Sequence, residues 1–228
     1  MRRVFSSIAV SALVLAPAIV RAQVQQADAN RAVAGGGVMV PGWQARADGN
    51  ASITDAKFTK EGDAFHVTTG PAIAYWNPSN TASGNYTVKA TFNEPKFQNL
   101  NDHPHPYGVF IGGNDMGTDA QTYMYCAAYG NGTFITRGFG PAPFQIGRRA
   151  PDSAVAKAAG VGQPVKQEVA LSVKGDKVEC SINGKVVASI DKAQIVGPGK
   201  LKSLDGVYGI RFAHNTEATV TGLTMTKQ

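Results

Sequence analysis

The sequence contains few of the residues and motifs that carry familiar enzyme chemistry. Only 2 of its 228 residues are cysteine and only 4 are histidine. It has no Gly-x-Ser-x-Gly motif, which excludes the nucleophile elbow of the serine hydrolases. Neither cysteine stands in a motif typical of a reactive thiol. These absences argue against an enzyme that uses a serine or cysteine nucleophile.

Long apolar runs are also rare, and the one exception lies at the N-terminus. It extends from Val4 to Val20, is interrupted by Pro17, and is shorter than the roughly 20 residues that a membrane span needs. Because it follows two arginines and precedes Ala22, it predicts a signal peptide (residues 1–22) cut near Ala22. We therefore expect a periplasmic or secreted protein without a membrane span. An uncleaved anchor is the alternative.

Positive charge is modest once this segment is set apart. The formal net charge of +6 falls to +3 when the three arginines of residues 1–22 are removed. No basic cluster remains beyond Arg148-Arg149. The sequence therefore gives no electrostatic reason to expect nucleic-acid binding, and it leaves the oligomeric state open.

The two cysteines, Cys126 and Cys180, are each predicted on the apolar side of a strand. An exported chain permits a disulfide between them. Two free thiols in the core are equally compatible with these positions. Both alternatives remain open, because the geometry of a bridge cannot be derived from sequence.

Short segments with strand character, separated by turn residues, occupy most of the chain. Gly175-Asp176 and Asn183-Gly184 are hairpin turns of favoured types. Evidence for helix is limited to one turn at Asp191–Ile195 and part of Asp152–Ala159. This spacing of strands predicts an all-β sandwich or barrel. The clearest predicted strands are Ile53–Thr59, Ala64–Thr69, Ala72–Trp76, Asn85–Asn93, Gln121–Tyr129, Lys166–Lys174, Lys177–Ile182, Lys185–Ile190, Gly206–Ala213 and Ala218–Thr226.

Two segments lack this strand pattern. Residues 23–37 are polar, rich in alanine and end in three glycines, so we predict a flexible lead-in to a single domain over residues 38–228. Gly138–Gln163 contains three prolines and has no strand periodicity. A connection of this length inside a compact domain is typical of a functional or mobile loop.

Five segments follow one another in a recognisable order: Trp76, GNYTVKATFNEP, YGVFIGGND, VKQEVALSVKGDKVECSINGKVVASI and GVYGIRFAHNTEATVTGLTMTK. Their order resembles the concanavalin A-like lectin/glucanase superfamily. The resemblance covers roughly Trp43–Thr226 and is greatest to exported bacterial laminin-G-like domains and 3-keto-disaccharide hydrolase domains. It implies a jelly-roll of two curved antiparallel sheets whose concave face takes carbohydrate.

The first candidate site is the face of the strand Gln121–Tyr129 that carries tyrosines. A period of two places Tyr123, Tyr125, Ala127 and Tyr129 on one face and Met124 and Cys126 on the other. Sugars stack on aromatic rings, and Arg137 on the next strand could bind their hydroxyls. Trp76 and Tyr107 are possible neighbours. The alternative is that these rings only pack beneath a loop.

The second candidate is the segment Asp102-His103-Pro104-His105-Pro106. Prolines favour an extended backbone, which can place His103 and His105 on one side. These imidazoles could ligate a transition metal or provide a general base, and His214 could approach them in space. An exposed loop without a metal is the alternative.

A third candidate is the loop Gly113–Asp119, whose Asn114, Asp115 and Asp119 offer oxygen ligands suited to calcium. The spacing does not match an EF-hand, and such loops also occur for turn reasons alone. We therefore predict no firm cofactor and retain calcium only as a candidate.

Glucanases of the resembled superfamily carry a Glu-x-Asp-x-Glu triplet, which this chain lacks. The 3-keto-disaccharide resemblance implies a different reaction, since a 3-keto sugar has an acidic C2 proton and can lose its aglycone by elimination. Such a reaction needs a base and a group that stabilises an enolate. His103 or His105 would be the base, and Arg137 or Arg211 the electrophile.

Three functions therefore remain. The first is a lectin-like protein that binds a glycan on a tyrosine-lined face, the second a 3-keto-glycoside hydrolase or lyase of the same fold, and the third a structural or protein-interaction domain. Convergence of His105, Arg137, Arg211 and an acid in one pocket would favour the enzyme. An open groove with stacked rings would favour the binding protein, and a flat aromatic patch the interaction domain.

Overall fold

The structure is a computed structural model that describes residues 29–49, 51–100 and 103–228. The predicted signal peptide and Asp102 lie outside the described residues. Within the described ranges, no helix has the length and apolar character needed to cross a membrane.

Strands make up most of the fold, as the turn spacing predicts. The first nine are β1 Gly37–Val38, β2 Gln44–Ala47, β3 Ala56–Glu61, β4 Ala64–Thr69, β5 Ile73–Ala82, β6 Tyr86–Glu94, β7 Asn99–Leu100, β8 His103–Pro104 and β9 Tyr107–Asn114. The next nine are β10 Thr122–Ala128, β11 Thr133–Phe139, β12 Pro143–Gln145, β13 Ala150–Pro151, β14 Val165–Lys174, β15 Lys177–Ile182, β16 Lys185–Asp191, β17 Gly206–Phe212 and β18 Glu217–Lys227. One α-helical turn, α1 Lys192–Ile195, follows Asp191, and a 3-10 turn covers Ile53–Asp55.

The strands form two packed sheets and one small two-stranded sheet of β7 and β8. The first sheet has the order β1-β3-β4-β18-β6-β14-β15-β16, and the second has β12-β11-β10-β9-β17-β5-β2, with β13 also paired to β11. All pairs except β1 with β3 are antiparallel. The predicted all-β sandwich of two antiparallel sheets is therefore confirmed.

The period of two along β10 divides its side chains between two apolar clusters. Met124 and Cys126 join the core between the sheets. Tyr123 and Tyr125 belong to a second cluster on the opposite face of the second sheet. On β17, Ile210 and Phe212 point into the core, which turns Arg211 to the same face as the tyrosines. Alternation thus decides which residues can form a site on that outer face.

The segment Gly138–Gln163 differs from its prediction as a long loop. Within it, β12 and β13 fold back to pair with β11. These strands have only three and two residues, too few to show a period of two in sequence, and Pro143 is tolerated because β12 is an edge strand. Asp152–Ala159, a candidate for partial helix, forms turns and an isolated bridge instead.

The two cysteines form a disulfide between the sheets. Cys126 lies on β10 of the second sheet and Cys180 on β15 of the first, with their Cα atoms 6.0 Å apart. This pairing decides between the two alternatives that the sequence left open. The bridge anchors the inner side of the strand whose outer side carries Tyr125.

The described end of the predicted lead-in is bound to the sandwich. The Arg31 side chain donates hydrogen bonds to the carbonyl oxygens of Thr69 and Thr216, at 2.8 and 2.6 Å. Its backbone N–H donates to Asn215 Oδ1. These contacts hold residues 29–31 beside the turn that follows β17.

Candidate functional site

A groove of about 480 Å³ lies over the outer face of the second sheet. This volume is within the range of small-ligand sites. We call it the arginine groove, because its lining includes three arginines together with one acid and one histidine. The polar and aromatic side chains of this lining include those of Asp48, His103, Tyr125, Tyr129, Arg137, Arg149 and Arg211.

Two small residues, Ala127 on β10 and Gly108 on β9, lie side by side beneath the groove. Arg211 on β17 continues the same row on the other side of Gly108. Gly108 is required there, since a Cβ atom would lie 1.9 Å from the carbonyl oxygen of Cys126. In the adjacent row, Tyr125 pairs with Arg137 on β11. The short side chains leave space that larger residues surround.

Arg211 is the most buried charged residue of the groove, with 5% of its surface exposed. Its Nη2 group donates a hydrogen bond to Oδ2 of Asp48. Its Nη1 group is buried and has no hydrogen-bond partner among the described residues. A buried donor without a partner costs stability, and such groups are often retained for a ligand. Arg211 therefore brings an incompletely hydrogen-bonded guanidinium group to the lining of the groove.

The tyrosine rings of the groove lie against arginine side chains and leave little ring surface exposed for stacking on a sugar. The Arg211 guanidinium lies 5.8 Å from the ring centre of Tyr125, and that of Arg149 lies 5.4 Å from the ring centre of Tyr129. Both tyrosines are only 8% exposed. Burial raises the pKa of Tyr125 and raises that of Tyr129 to about 12. Both hydroxyls thus stay protonated at neutral pH and can donate hydrogen bonds.

Three of the predicted aromatic ligands do not line the groove. Tyr123 is fully buried beneath Phe139, whose ring is stacked on it at 4.8 Å. Trp76 lies on the same sheet face but is 2% exposed and is covered by the loop at Gly117. Tyr107 points the other way, into the core, where it stacks on Phe92. Successive residues of a strand point to opposite faces, so Tyr107 points into the core while its neighbour Gly108 belongs to the outer face of β9.

Asp48, Gln145 and Arg149 also line the groove and were not predicted as site residues. Asp48 follows β2, which the sequence pattern did not identify as a strand. Gln145 and Arg149 lie in the segment that was predicted as a loop. The Arg148-Arg149 pair is visible in the sequence, but the pairing of β12 and β13 with β11 is what brings Arg149 to the groove.

The histidines of the second candidate converge with His214. The ring centres of His103 and His105 are 5.2 Å apart, and those of His105 and His214 are 4.3 Å apart. One potential ligand atom from each lies within 4.8 Å of the others. His105 is buried, whereas His103 is exposed and reaches the arginine groove. We call these three residues the histidine cluster.

The oxygen-bearing side chains of the third candidate are engaged elsewhere. Asp115 pairs with Lys202, and Asp119 pairs with Arg46 at 2.6 Å. Asn114 donates its amide to the carbonyl oxygens of Gly112 and Asp205. The metal-ligating group identified among the described residues is the histidine cluster, and it does not include these side chains.

Comparison with known proteins connects this architecture to lectin-like folds. No protein-family model matches the chain, and no curated protein matches it. The carbohydrate-binding module CBM66 from Bacillus subtilis superposes with a TM-score of 0.57 at 10% identity, covering 82% of this chain and 96% of the module. A Bacillus subtilis protein of unknown function with a galectin-like fold gives 0.56 at 15% identity, with coverage of 81% and 89%.

The exoplasmic/lumenal domain of VIP36, in its Ca²⁺/Man3GlcNAc-bound form, gives a TM-score of 0.50 at 8% identity, with coverage of 82% and 84%. The chain has a lectin-like β-sandwich fold. At these identities the likeness concerns the fold, and the function must be argued from the site.

Proposed function

We propose that this protein is an exported lectin-like protein that binds a glycan bearing carboxylate groups in the arginine groove. The single observation that carries the proposal is that three guanidinium groups, those of Arg137, Arg149 and Arg211, line one groove in which Asp48 is the one acid among the lining residues. Arginine binds carboxylates through paired N–H groups, a geometry that a sugar acid can match.

The charge balance of the groove supports an acidic ligand. Asp48 balances Arg211, whereas Arg137 and Arg149 line the groove without an ion-pair partner among the described acids. A neutral sugar would use the hydroxyls of Tyr125 and Tyr129 but would form no ion pair with these two exposed guanidinium groups. A glycan with carboxylates engages both kinds of group.

The fold neighbours support the carbohydrate part of this proposal. One is a carbohydrate-binding module, and another was solved with a bound mannose-containing glycan. The disulfide between Cys126 and Cys180 supports the export part, because structural disulfides persist in oxidising compartments. The aromatic face is largely covered, so it is not the flat patch that would favour an interaction domain.

The proposal predicts selective binding of acidic oligosaccharides. Oligogalacturonate should bind in isothermal titration calorimetry, whereas its methyl ester, which has the same sugars without the charge, should bind about tenfold more weakly or not at all. Arg149→Ala and Arg137→Ala should each lower the affinity about tenfold, since each removes a charge-assisted hydrogen bond.

Arg148→Ala is the matched control, because Arg148 is the exposed neighbour of Arg149 and does not line the groove. Its affinity should stay at the wild-type value. Equal binding of the ester and the acid would overturn the acidic preference. An absence of binding across acidic and neutral glycan arrays would overturn the proposal as a whole.

A second candidate function is elimination from a 3-keto glycoside, as the family resemblance implies. The observation that favours it is that His103, Asp48, Arg137 and Arg211 line one groove. His103, rather than the buried His105, would accept the C2 proton of the 3-keto sugar. Arg211 would stabilise the enolate while the C1–O bond breaks and the aglycone leaves with a proton from solvent.

This second candidate predicts turnover of a chromogenic 3-keto glycoside. His103→Ala should reduce kcat at least about 100-fold, because general-base catalysis contributes about that much. His66→Gln is the control, since His66 pairs with Glu217 on the first sheet. Absence of release in the wild-type protein would sink the candidate, and unchanged release in His103→Ala would remove His103 as the base.

A further inference from the structure

We infer that His103, His105 and His214 form a binding site for a divalent transition-metal ion at the border of the arginine groove. The inference is independent of the glycan proposal. It rests on three imidazole groups brought together from two distant parts of the sequence, 103–105 and 214.

The spacing of the cluster suits one ion. The potential ligand atoms all lie within 4.8 Å of one another. Nitrogens bound to one tetrahedral zinc ion, at about 2.0–2.1 Å each, are separated by roughly 3.3 Å. Small rotations of the side chains therefore bring the three imidazoles into bonding distance. The angle of 79° between the rings of His105 and His214 lets their nitrogens converge from different directions.

The backbone holds the two parts of the cluster together. Pro104 and Pro106 flank His105 and restrict its segment to an extended form. The N–H of Ala213 donates to the carbonyl oxygen of Pro106 at 2.9 Å. On the other side of His214, the N–H of Asn215 donates to the carbonyl oxygen of Gly70 at 3.0 Å. The ligand set is thus preorganised by backbone hydrogen bonds on both sides.

Asn30 adds a partner of the kind that metal-binding histidines use. Its Oδ1 lies 3.2 Å from Nδ1 of His214. An amide oxygen accepts from an N–H group, so this contact places the proton on Nδ1 and leaves Nε2 as the ligand atom. Outer contacts of this type orient the ring and strengthen its bond to the metal.

The ligand chemistry points to zinc or a related first-row ion. Three imidazoles suit zinc, copper, iron and nickel, whereas calcium and magnesium prefer oxygen. A set of three protein ligands leaves a further coordination position for water or a bound molecule. His103 lines the arginine groove, so the ion would lie beside that groove.

The test is titration of the purified protein, prepared without a polyhistidine tag and stripped with EDTA. Zinc should bind with one ion per chain in calorimetry, and cobalt should give the visible absorption spectrum of a tetrahedral site. His103→Ala should weaken zinc binding at least about tenfold, and Asn30→Ala should weaken it about 10–100-fold. Both residues are exposed, so both variants should fold.

His66→Gln is the internal control, because His66 is the one histidine of the sequence outside the cluster. Its zinc affinity should equal that of the wild type. Absence of binding at one ion per chain, or binding that His103→Ala leaves unchanged, would overturn the inference. Loss of zinc binding in His66→Gln but not in His103→Ala would do the same.

Discussion

Replacing Cys126 and Cys180 together with alanine is expected to lower the free energy of unfolding by about 4 kcal/mol. The two residues are 54 positions apart, so the bridge closes a long loop in the unfolded chain and removes much of its conformational freedom. Urea unfolding of the oxidised wild type and of the double variant, monitored by tryptophan fluorescence, measures the difference.

The reduced wild-type protein separates the effect of the cross-link from the effect of side-chain size. If the cross-link is responsible, reduction alone should reproduce most of the loss. Equal stability of the oxidised and reduced proteins would contradict the prediction. This loss of stability also bears on the arginine groove, because β10 carries Cys126 on its inner face and Tyr125 on its outer face.

Glu94, at the end of β6, is expected to make the free energy of unfolding strongly dependent on pH. This carboxyl group is 4% exposed. Burial raises its pKa to about 7, against the weaker opposite effects of the Gln98 backbone N–H and the Tyr107 hydroxyl. Gly130 packs so closely that a Cβ atom there would lie 2.9 Å from Oε2 of Glu94. The folded state therefore favours the protonated acid.

The sign of the pH dependence follows from proton binding. Between its ordinary value of 4.5 and about 7, Glu94 holds a proton in the folded state more often than in the unfolded state. Stability therefore falls as pH rises through this interval, by about 3 kcal/mol in total, and the contribution is constant above it. Glu94→Gln should remove this slope, since the amide does not ionise.

Urea unfolding of both proteins from pH 4 to pH 8 measures that difference. The gap between the wild type and Glu94→Gln should change by about 3 kcal/mol across the series, in favour of the variant at high pH. Glu168→Gln, on the partly exposed surface of β14 beside Lys89, should show no comparable change. Parallel curves for the wild type and Glu94→Gln would contradict the assignment.

Most of the fold could be predicted from the sequence, because its longer strands and its turns depend on residues that are close together in the chain. The turn at Asn183-Gly184 connects β15 and β16 as predicted, and one helical turn follows Asp191. The predicted alternation of side chains along β10 agrees with the structure, because successive side chains of a strand must point to opposite sides. The exceptions are short elements, such as β12 and β13, in which too few residues are present to reveal a period.

Only some residues of the candidate site could be predicted from the sequence. Arg137 and Arg211 were named from their positions on strands, and the structure places both in one groove. Tyr107 was assigned to the same surface, but its phase along β9 turns it into the core. Tyr123 has the right phase yet lies beneath Phe139, which comes from a neighbouring strand. Periodicity predicts the direction of a side chain but not what covers it.

The all-β class, the alternation of side chains along the longer strands and the positions of the hairpin turns follow from the local sequence pattern, since each depends on residues a few positions apart. The partner of Cys126, the meeting of His105 with His214, and the pairing of Asp48 with Arg211 depend on sheet order and register. These contacts join residues 54, 109 and 163 positions apart, by the differences of their numbers. Only packing of the whole sandwich decides them, because no local energy term favours one distant partner over another.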